Sequence, residues 1–338
     1  MRKRTLKKNK TRKNKKNSRK NKTRKKKDIV IGMLTVPLSP TKQFYSVCGD
    51  SYISSRHETW FKNLGIKILP IPYTTKNHKE YMHKIHGLYF PSGGAFAGTQ
   101  ESYYNCCKTF VKLAMKFNDI GYHFPIWGGC MGMQQLMIIA DGNDDLEKLL
   151  QRFDSYNNLM CTLDFTEDGL NSRMMKNASD KEMKKFKKQK CSLNNHKMGL
   201  TPHKFKKHKN INKFYKIVST SKDRKGRVFI STIEGRHYPF YGVQWHPERS
   251  SEMNYFAKFF IRELKKNRNK IRKNKTKLFS KKIKCDNFSD SLYKKCNFYW
   301  HKKTSKHNKK LCSVAQIIKS EKNQEKLKKG DEKYFRGV

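Results

Sequence analysis

Long apolar runs are absent from this sequence, and acidic residues are scarce in it. No apolar stretch reaches the roughly 18 residues that a membrane-spanning helix needs, so we expect no membrane association. Residues 29–38 form a short apolar run after a basic stretch, but an almost entirely polar segment precedes it and no small-x-small cleavage site follows it. We therefore expect no secretory signal and favour a cytoplasmic or nuclear location.

Regular cysteine spacing is also absent. The chain has nine cysteines, an odd number without a disulfide-like pattern, which indicates a reducing compartment. Five potential metal ligands lie near the C-terminus: Cys285, Cys296, His301, His307 and Cys312. Their spacing fits no common zinc pattern, so we predict no metal and no cofactor, and instead a short helical extension that packs its aromatic residues on the domain.

The charge divides the chain into three regions. The 338 residues include 77 Lys and Arg against 27 Asp and Glu, a formal net charge of +50. Residues 1–27 hold 17 basic residues and no acidic one, residues 28–263 hold 35 basic and 21 acidic ones, and residues 264–338 hold 25 basic and 6 acidic ones. We predict a disordered basic arm over 1–27, a domain with a real core over 28–265, and a basic tail over 266–338, partly helical or disordered.

The basic arm supports two interpretations. A Lys/Arg block of this kind is typical of nuclear-import signals and of segments that bind nucleic acid or another polyanion. Because nothing in the arm could read base edges, such binding is expected to be non-specific and steeply salt-dependent. Lys and Asn are abundant throughout the chain, however, which favours the other interpretation, that the arm reflects compositional bias and adds solubility.

Apolar patterns in the middle region alternate between strands and helices. Buried strands are predicted at 29–34, 67–73, 86–90 and 124–127. Helical segments are predicted at 52–64, 80–85, 103–117 and 255–264, and a further apolar helix follows the turn at 128–132 and extends through Ala140. Residues 142–215 are polar and loop-rich, as in an insertion over one edge, and 228–233 with 238–244 predict a hairpin-like pair. This order favours an α/β fold with a mostly parallel central sheet covered on both faces.

Ligands of open α/β sheets bind beyond the carboxyl ends of the strands, which directs attention to residues 91–94 and 128–132. Cys130 lies between a predicted strand and a predicted helix, flanked by Gly129 and Gly132, as in a nucleophile elbow. The glycines relieve crowding in a tight turn, and the N-terminus of the following helix favours the reactive thiolate. A buried structural cysteine in a glycine-rich turn is the alternative at this point.

A second segment supplies the partners that a cysteine nucleophile needs. His246 follows a late strand, 116 residues after Cys130, and an imidazole there could take and return a proton. Glu248 is two residues further on and could hold the tautomer and orientation of the ring. A lone His-Pro-Glu is more often a surface turn, but together with the elbow it predicts catalysis by Cys130, His246 and Glu248.

An oxyanion hole needs two N–H donors directed at the developing negative charge. The N–H of Met131, the first residue after the nucleophile, supplies one. The glycine-containing turn at 91–94 supplies the other, and we favour Gly94 while leaving Gly93 open.

Two motifs resemble the class I glutamine amidotransferase-like superfamily: Gly128-Gly-Cys-Met-Gly-Met-Gln134 and Gln244-Trp-His-Pro-Glu248. Longer segments narrow the resemblance to the γ-glutamyl hydrolase family, a family of cysteine ω-peptidases. They are Ser172-Arg-Met174, Asn195-His-Lys197, Ile230-Ser-Thr-Ile-Glu-Gly235 and Tyr238-Pro-Phe-Tyr-Gly-Val-Gln244. The similarity covers roughly residues 28–265 and neither tail.

The resemblance implies a three-layer α/β sandwich, flavodoxin-like in its layering, and cleavage of folyl- or other poly-γ-glutamates through a thioester. Cys130 would attack the γ-glutamyl amide carbon, His246 would protonate the leaving amine, and water would then release glutamate. The second active-site histidine of the family corresponds to His196, which we assign to substrate contact together with Gln134 and Gly93. The family commonly has Glu at the position of Gln134, so this chain departs from it there.

Two other functions stay open on the sequence. One is a glutaminase that hands ammonia to a synthase partner, which Gln134 favours, as in true glutamine amidotransferases. The other is a non-enzymatic polyanion-binding protein on a hydrolase fold, which the complete set of Cys130, His246 and Glu248 argues against. The sequence distinguishes neither endo- from exo-cleavage nor a monomer from a homodimer.

Overall fold

The computed structural model describes residues 28–37, 51–93, 101–142 and 149–267, together with the backbone of two short strands at 282–284 and 296–299. The basic arm, the side chains of the C-terminal Cys/His group and most of the remaining tail lie outside the described residues.

An eight-stranded mixed sheet forms the centre of the fold. The described part of the chain contains these strands, eight of which belong to the central sheet: β1 (Val30–Leu34), β2 (Val36–Pro37), β3 (Ser51–Ser54), β4 (Lys67–Ile71), β5 (Gly87–Phe90), β6 (Ile126–Gly129), β7 (Gln151–Cys161), β8 (Asp164–Phe165), β9 (Ser192–Gly199), β10 (Tyr215–Lys222), β11 (Val228–Gly235), β12 (Phe240–Val243), β13 (Lys282–Lys284) and β14 (Cys296–Tyr299). The central sheet has the order β4-β1-β5-β6-β12-β11-β10-β8. The first five strands in this order, β4, β1, β5, β6 and β12, pair in parallel. The pairings of β12 with β11, β11 with β10 and β10 with β8 are antiparallel.

Helices cover both faces of this sheet. They are α1 (Ser55–Lys62), α2 (His78–Met82), α3 (Glu101–Asp119), α4 (Met131–Asp141), α5 (Glu167–Leu170), α6 (Asp180–Lys188), α7 (Pro202–Lys207), α8 (Lys209–Phe214) and α9 (Asn254–Lys266). Two short 3₁₀ turns, Pro247–Arg249 and Ser251–Met253, precede α9. Within the described ranges, no helix is both long enough and apolar enough to cross a bilayer.

The pleat of the strands divides the core between two faces. Leu88 and Ile126 pack in the cluster that contains α3 and α4, whereas their chain neighbours Tyr89 and Trp127 pack in the cluster that contains α1 and α9. Burial of a large apolar side chain contributes about 1.5–3 kcal/mol, so each face is stabilised by many such contacts. The predicted α/β class, with a mostly parallel sheet between two helical layers, is confirmed.

Three segments differ from the sequence-based expectation. Tyr52 and Ile53 lie in β3 instead of a helix, because β3 pairs with β2 on one side and β14 on the other, and α1 begins only at Ser55. Residues 142–215 include the antiparallel pair β7–β9 and four helices, so the expectation of a loop-rich insertion was wrong for its described part.

The C-terminal tail contributes strands where a helical extension is predicted. Strand β14 pairs antiparallel with β3, and β13 pairs with β14. The prediction of a helix is therefore wrong for residues 282–284 and 296–299.

Candidate active site

The carboxyl ends of β6 and β12 bring the two sequence motifs together. The strands pair in parallel with Val243 opposite Gly129, and the N–H of Cys130 donates to the carbonyl oxygen of Val243 at 2.7 Å. The segment that follows β12 therefore leaves the sheet beside Cys130. His246 belongs to this segment, so residues far apart in the chain converge at the edge where parallel sheets bind ligands.

Cys130 has a strained backbone at the start of α4. Its φ of 49° lies in the left-handed region, which residues other than glycine rarely adopt. Such strained residues cluster at functional sites. The tightest packing falls on Gly128 and Gly132: a Cβ added to Gly132 would lie 2.0 Å from the carbonyl oxygen of Phe90, and one added to Gly128 would lie 2.5 Å from Gly132. Helix α4 can therefore pack this closely against β5 and β6 only because glycines occupy the contact positions.

His246 and Glu248 form a buried hydrogen-bonded pair. The Nδ1 atom of His246 lies 2.8 Å from Oε1 of Glu248, and both side chains are more than 90% buried. The other ring nitrogen, Nε2, has no hydrogen-bond partner among the described residues. Because the carboxylate holds Nδ1, Nε2 is left available for proton transfer.

Electrostatics favour a charged imidazole at this position. Burial alone would lower the pKa of His246, but the Glu248 carboxylate and the nearby Cys130 sulfur raise it to about 10. Burial alone would raise the pKa of Glu248, but His57 and His246 lower it to about 2. The pair is therefore an imidazolium next to a carboxylate at neutral pH, with the sulfur of Cys130 close by.

Two glutamine side chains that are hydrogen bonded to each other lie next to the sulfur of Cys130. The Nε2 atom of Gln244 lies 3.5 Å from Sγ of Cys130, and Nε2 of Gln134 lies 3.3 Å from Oε1 of Gln244. Gln134 also donates to the carbonyl oxygen of Met198 at 2.8 Å. A carboxylate at position 134 could not donate these hydrogen bonds, so Gln134 orients Gln244 through a contact that glutamate would not make.

His196 lies on β9, close enough to His246 for the two rings to interact electrostatically. Its Nδ1 lies 2.9 Å from the carbonyl oxygen of Met198, the acceptor that Gln134 also uses. Burial lowers the pKa of His196 to about 3, and the nearby His246 acts in the same direction. His196 is therefore a neutral ring whose Nε2 has no partner among the described residues.

The predicted oxyanion-hole residues are only partly described. Met131 is the first residue of α4, so its N–H belongs to the unpaired N-terminal turn of the helix. A Cβ added to Gly93 would lie 2.5 Å from Cγ1 of Val36 and 3.2 Å from Cε of Met131, so Gly93 adjoins the elbow. Gly94 lies outside the described residues.

His57, on α1, belongs to the site although no sequence motif marked it. Its Nδ1 lies 2.8 Å from the hydroxyl of Tyr89, and its Nε2 lies 2.8 Å from Oγ of Ser92 and 3.8 Å from Oε1 of Glu248. Burial lowers the pKa of His57 to about 4, against the opposing effect of Glu248. The ring is thus neutral at pH 7, and the adjacent carboxylate favours the tautomer with the proton on Nε2. The available signal was a histidine three residues before Trp60 and four before Phe61, on the same face of a helix.

Metal binding is not indicated by the described side chains. They contain no group of three or more His, Cys, Asp or Glu side chains placed to hold an ion. The side chains of the C-terminal Cys/His group lie outside the described part of the chain.

Comparison with known proteins identifies relatives of the whole domain. The family model "Glutamine amidotransferase class-I" matches residues 48–263. The γ-glutamyl hydrolase of Homo sapiens is 31% identical over 238 residues, which cover 65% of this chain and 73% of that protein. The γ-glutamyl hydrolase of Mus musculus is 30% identical with the same coverage, and γ-glutamyl hydrolase B of Dictyostelium discoideum is 26% identical over 72% of this chain and 74% of that protein. The family predicted from the two motifs is confirmed, and the chain belongs to the γ-glutamyl hydrolase family of the class-I glutamine amidotransferases.

Proposed function

We propose that this protein hydrolyses γ-glutamyl bonds of folyl- or other poly-γ-glutamates through a thioester on Cys130. The observation that carries the proposal is the arrangement of Cys130 and the buried pair of His246 and Glu248 at adjoining strand ends. The relatives named γ-glutamyl hydrolase support the bond type. No metal or organic cofactor enters the proposed reaction.

Acylation uses groups that already lie together. Sγ of Cys130 attacks the γ-carbonyl carbon, and the carbonyl oxygen takes up the negative charge. The N–H of Met131 and an N–H of the turn at Gly93 and Gly94 are the proposed donors to that oxygen. Nε2 of His246 gives its proton to the leaving nitrogen as the C–N bond breaks, which leaves the γ-glutamyl group on sulfur and a neutral imidazole.

Deacylation reverses the proton transfers with water as the nucleophile. The neutral His246 takes a proton from water, the hydroxide oxygen bonds to the thioester carbon, and the C–S bond breaks. The products are a γ-carboxylic acid, which releases its proton to solvent, and the thiolate of Cys130 beside a charged His246. Gln244, which approaches Sγ at 3.5 Å, positions the sulfur for both steps, and His196 is proposed to contact the substrate.

The test is incubation of the purified protein with pteroyl-poly-γ-glutamate and, separately, with glutamine. We expect the γ-glutamyl chain to shorten, as seen by mass spectrometry, without release of ammonia from glutamine. Ammonia from glutamine alone would instead support a glutaminase. Binding of DNA at physiological salt without any hydrolysis would support the non-enzymatic alternative.

The matched variant is Cys130→Ala. Because the thiol is the only proposed acyl carrier, we expect hydrolysis to fall by at least about a thousandfold, while the melting temperature changes by only a few degrees. Turnover near the wild-type rate in a folded Cys130→Ala protein would contradict the proposed mechanism.

A further inference from the structure

Two arginines flank the catalytic pair on adjoining elements. Arg56 precedes His57 on α1, and Arg249 follows Glu248 in the 3₁₀ turn that packs against α1. The 3.8 Å approach of His57 Nε2 to Glu248 Oε1 fixes the two elements against each other. Both arginines are partly buried, and both lie near enough to His57 for their charges to act on its ring.

No carboxylate is paired with either guanidinium in the described part of the chain. Nη1 of Arg249 donates to the neutral amide oxygen of Asn158 at 2.9 Å. Burial lowers the pKa of Arg249, and the charge of Arg56 lowers it further, against the opposing effects of Glu248 and Cys130. The nearby carboxylate of Glu248 is itself hydrogen bonded to His246 at 2.8 Å. Two cations brought together without an anion of their own form a site that an anion would stabilise.

The position of Arg249 indicates which part of a substrate would meet this pair. The N–H of Arg249 donates to the carbonyl oxygen of His246 at 3.2 Å, so Arg249 belongs to the histidine side of the site. In the proposed reaction His246 protonates the departing amine, and that amine must therefore face the same side. In a γ-linked chain the departing residue carries a free α-carboxylate two bonds from its nitrogen.

We propose that Arg56 and Arg249 form a carboxylate subsite that binds the α-carboxylate of the residue whose amine departs. This inference rests on the proposed γ-glutamyl hydrolysis and adds a requirement on the leaving group. A planar guanidinium can bind a carboxylate through two parallel hydrogen bonds, which lysine cannot reproduce. Substrates with an anionic residue after the scissile bond are then preferred over neutral ones.

The test uses two dipeptides that differ only in the leaving residue, γ-glutamyl-alanine and γ-glutamyl-alaninamide. We expect the wild-type kcat/KM to favour the acid on the order of 10- to 100-fold, since a charge-assisted hydrogen bond is worth that ratio. Arg56→Met and Arg249→Met should each move the ratio towards one, and Arg249→Lys should restore part of it. Arg236→Met, at the opposite end of the sheet, is the matched control and should keep the wild-type ratio.

A binding measurement separates this inference from the proposed function. The Cys130→Ala protein is titrated with both dipeptides by calorimetry, alone and combined with Arg249→Met. Absence of turnover of pteroyl-poly-γ-glutamate by the wild-type protein would reject the proposed function, while preferential binding of the acid dipeptide, lost with Arg249→Met, would still support the subsite. Equal handling of acid and amide by wild type, or an unchanged preference in both methionine variants, would overturn it.

Discussion

At the scale of single residues, His57 connects the carboxylate of Glu248 with the turn that is proposed to hold the oxyanion. With its proton on Nε2, the ring donates to Oγ of Ser92 and faces Oε1 of Glu248, while Nδ1 accepts from Tyr89. One buried ring thus relates the position of Glu248 to the turn before Gly93. In the proposed mechanism His57 is therefore a positioning residue, because it acts on the reaction through groups that it holds.

Replacing His57 by Phe tests this positioning role. The variant loses both hydrogen bonds and leaves the buried Tyr89 hydroxyl unpaired, so we expect a stability loss of about 1–3 kcal/mol. We also expect kcat to fall about tenfold with little change in KM, since the groups affected act in the transition state. Steady-state kinetics and urea unfolding provide the measurements.

The conservative variant His57→Gln separates positioning from packing. Its amide nitrogen can take the place of Nε2 and donate to Ser92, so it should recover most of kcat. If the Phe variant keeps the wild-type kcat, or if the Gln variant is as slow as Phe, His57 has no positioning role.

In the proposed mechanism, Glu248 controls the pH range of activity through His246. Protonated His246 is the proposed proton donor, so activity should fall as the pH rises through its pKa, which is about 10. Glu248→Gln removes the carboxylate that raises this pKa. We therefore expect the alkaline limb of kcat/KM to move to lower pH by at least one unit, together with a lower maximum. An alkaline limb that stays in place would show that His246 does not determine it.

At the scale of secondary-structure elements, the elbow depends on how closely α4 approaches β5. The closest approach is at Gly132, where an added Cβ would lie 2.0 Å from the Phe90 carbonyl oxygen and 2.7 Å from its carbon. Both atoms are backbone, so neither can rotate away as a side chain could. The position of the Cys130 sulfur therefore depends on the absence of a methyl group at the second residue of the helix.

Gly132→Ala should therefore destabilise the protein, although alanine is the better helix former. We expect a loss of about 3 kcal/mol or more, as for severe overpacking, and a fall in activity that exceeds the loss of folded protein. Gly65→Ala is the control: its φ of 75° is strained for alanine, but nothing lies within 4 Å of the added Cβ. A Gly132→Ala protein no less stable than the control would contradict the steric explanation.

The elbow and the parallel strands could be predicted because their signals are local. Gly128 to Gly132 after an apolar run define a strand–turn–helix from neighbouring residues alone, and the strand at 86–90 is a continuous apolar run. The pairing of His246 with Glu248 follows from their spacing of two residues.

Features that depend on distant partners could not be predicted in this way. Tyr52 and Ile53 have helical spacing but lie in β3, because β2 and β14 supply hydrogen bonds from residues far along the chain. His57 has the same limitation, since its partners Ser92 and Glu248 are brought to it only by the fold. Periodicity reports which face is buried, and it does not report what lies opposite that face.

At the scale of the whole molecule, helix α9 is tied to the sheet by one carboxylate. Glu263 accepts from the hydroxyl of Tyr241 on β12 at 2.9 Å and lies 2.8 Å from Nε2 of His123, and it pairs with Lys266 on its own helix. Burial alone would raise the pKa of Glu263, but His123, Lys266 and Tyr241 lower it to about 2. The ionised carboxylate thus joins the end of the chain's last long described helix to the strand that precedes His246.

The free energy of unfolding of the domain should consequently decrease at acidic pH. Because the pKa of Glu263 is lower in the folded protein than its ordinary 4.5, the unfolded chain binds more protons between the two values. The contribution is present above about pH 4.5 and is lost as the pH falls towards 2. Glu263→Gln should lower the free energy of unfolding on the order of 1 kcal/mol at pH 7, a modest value because solvent screens part of the pair, and should flatten its decline below pH 4.5. Urea unfolding across this range measures both effects, with the exposed Glu252→Gln as control; equal acid sensitivity in the two variants would contradict this role of Glu263.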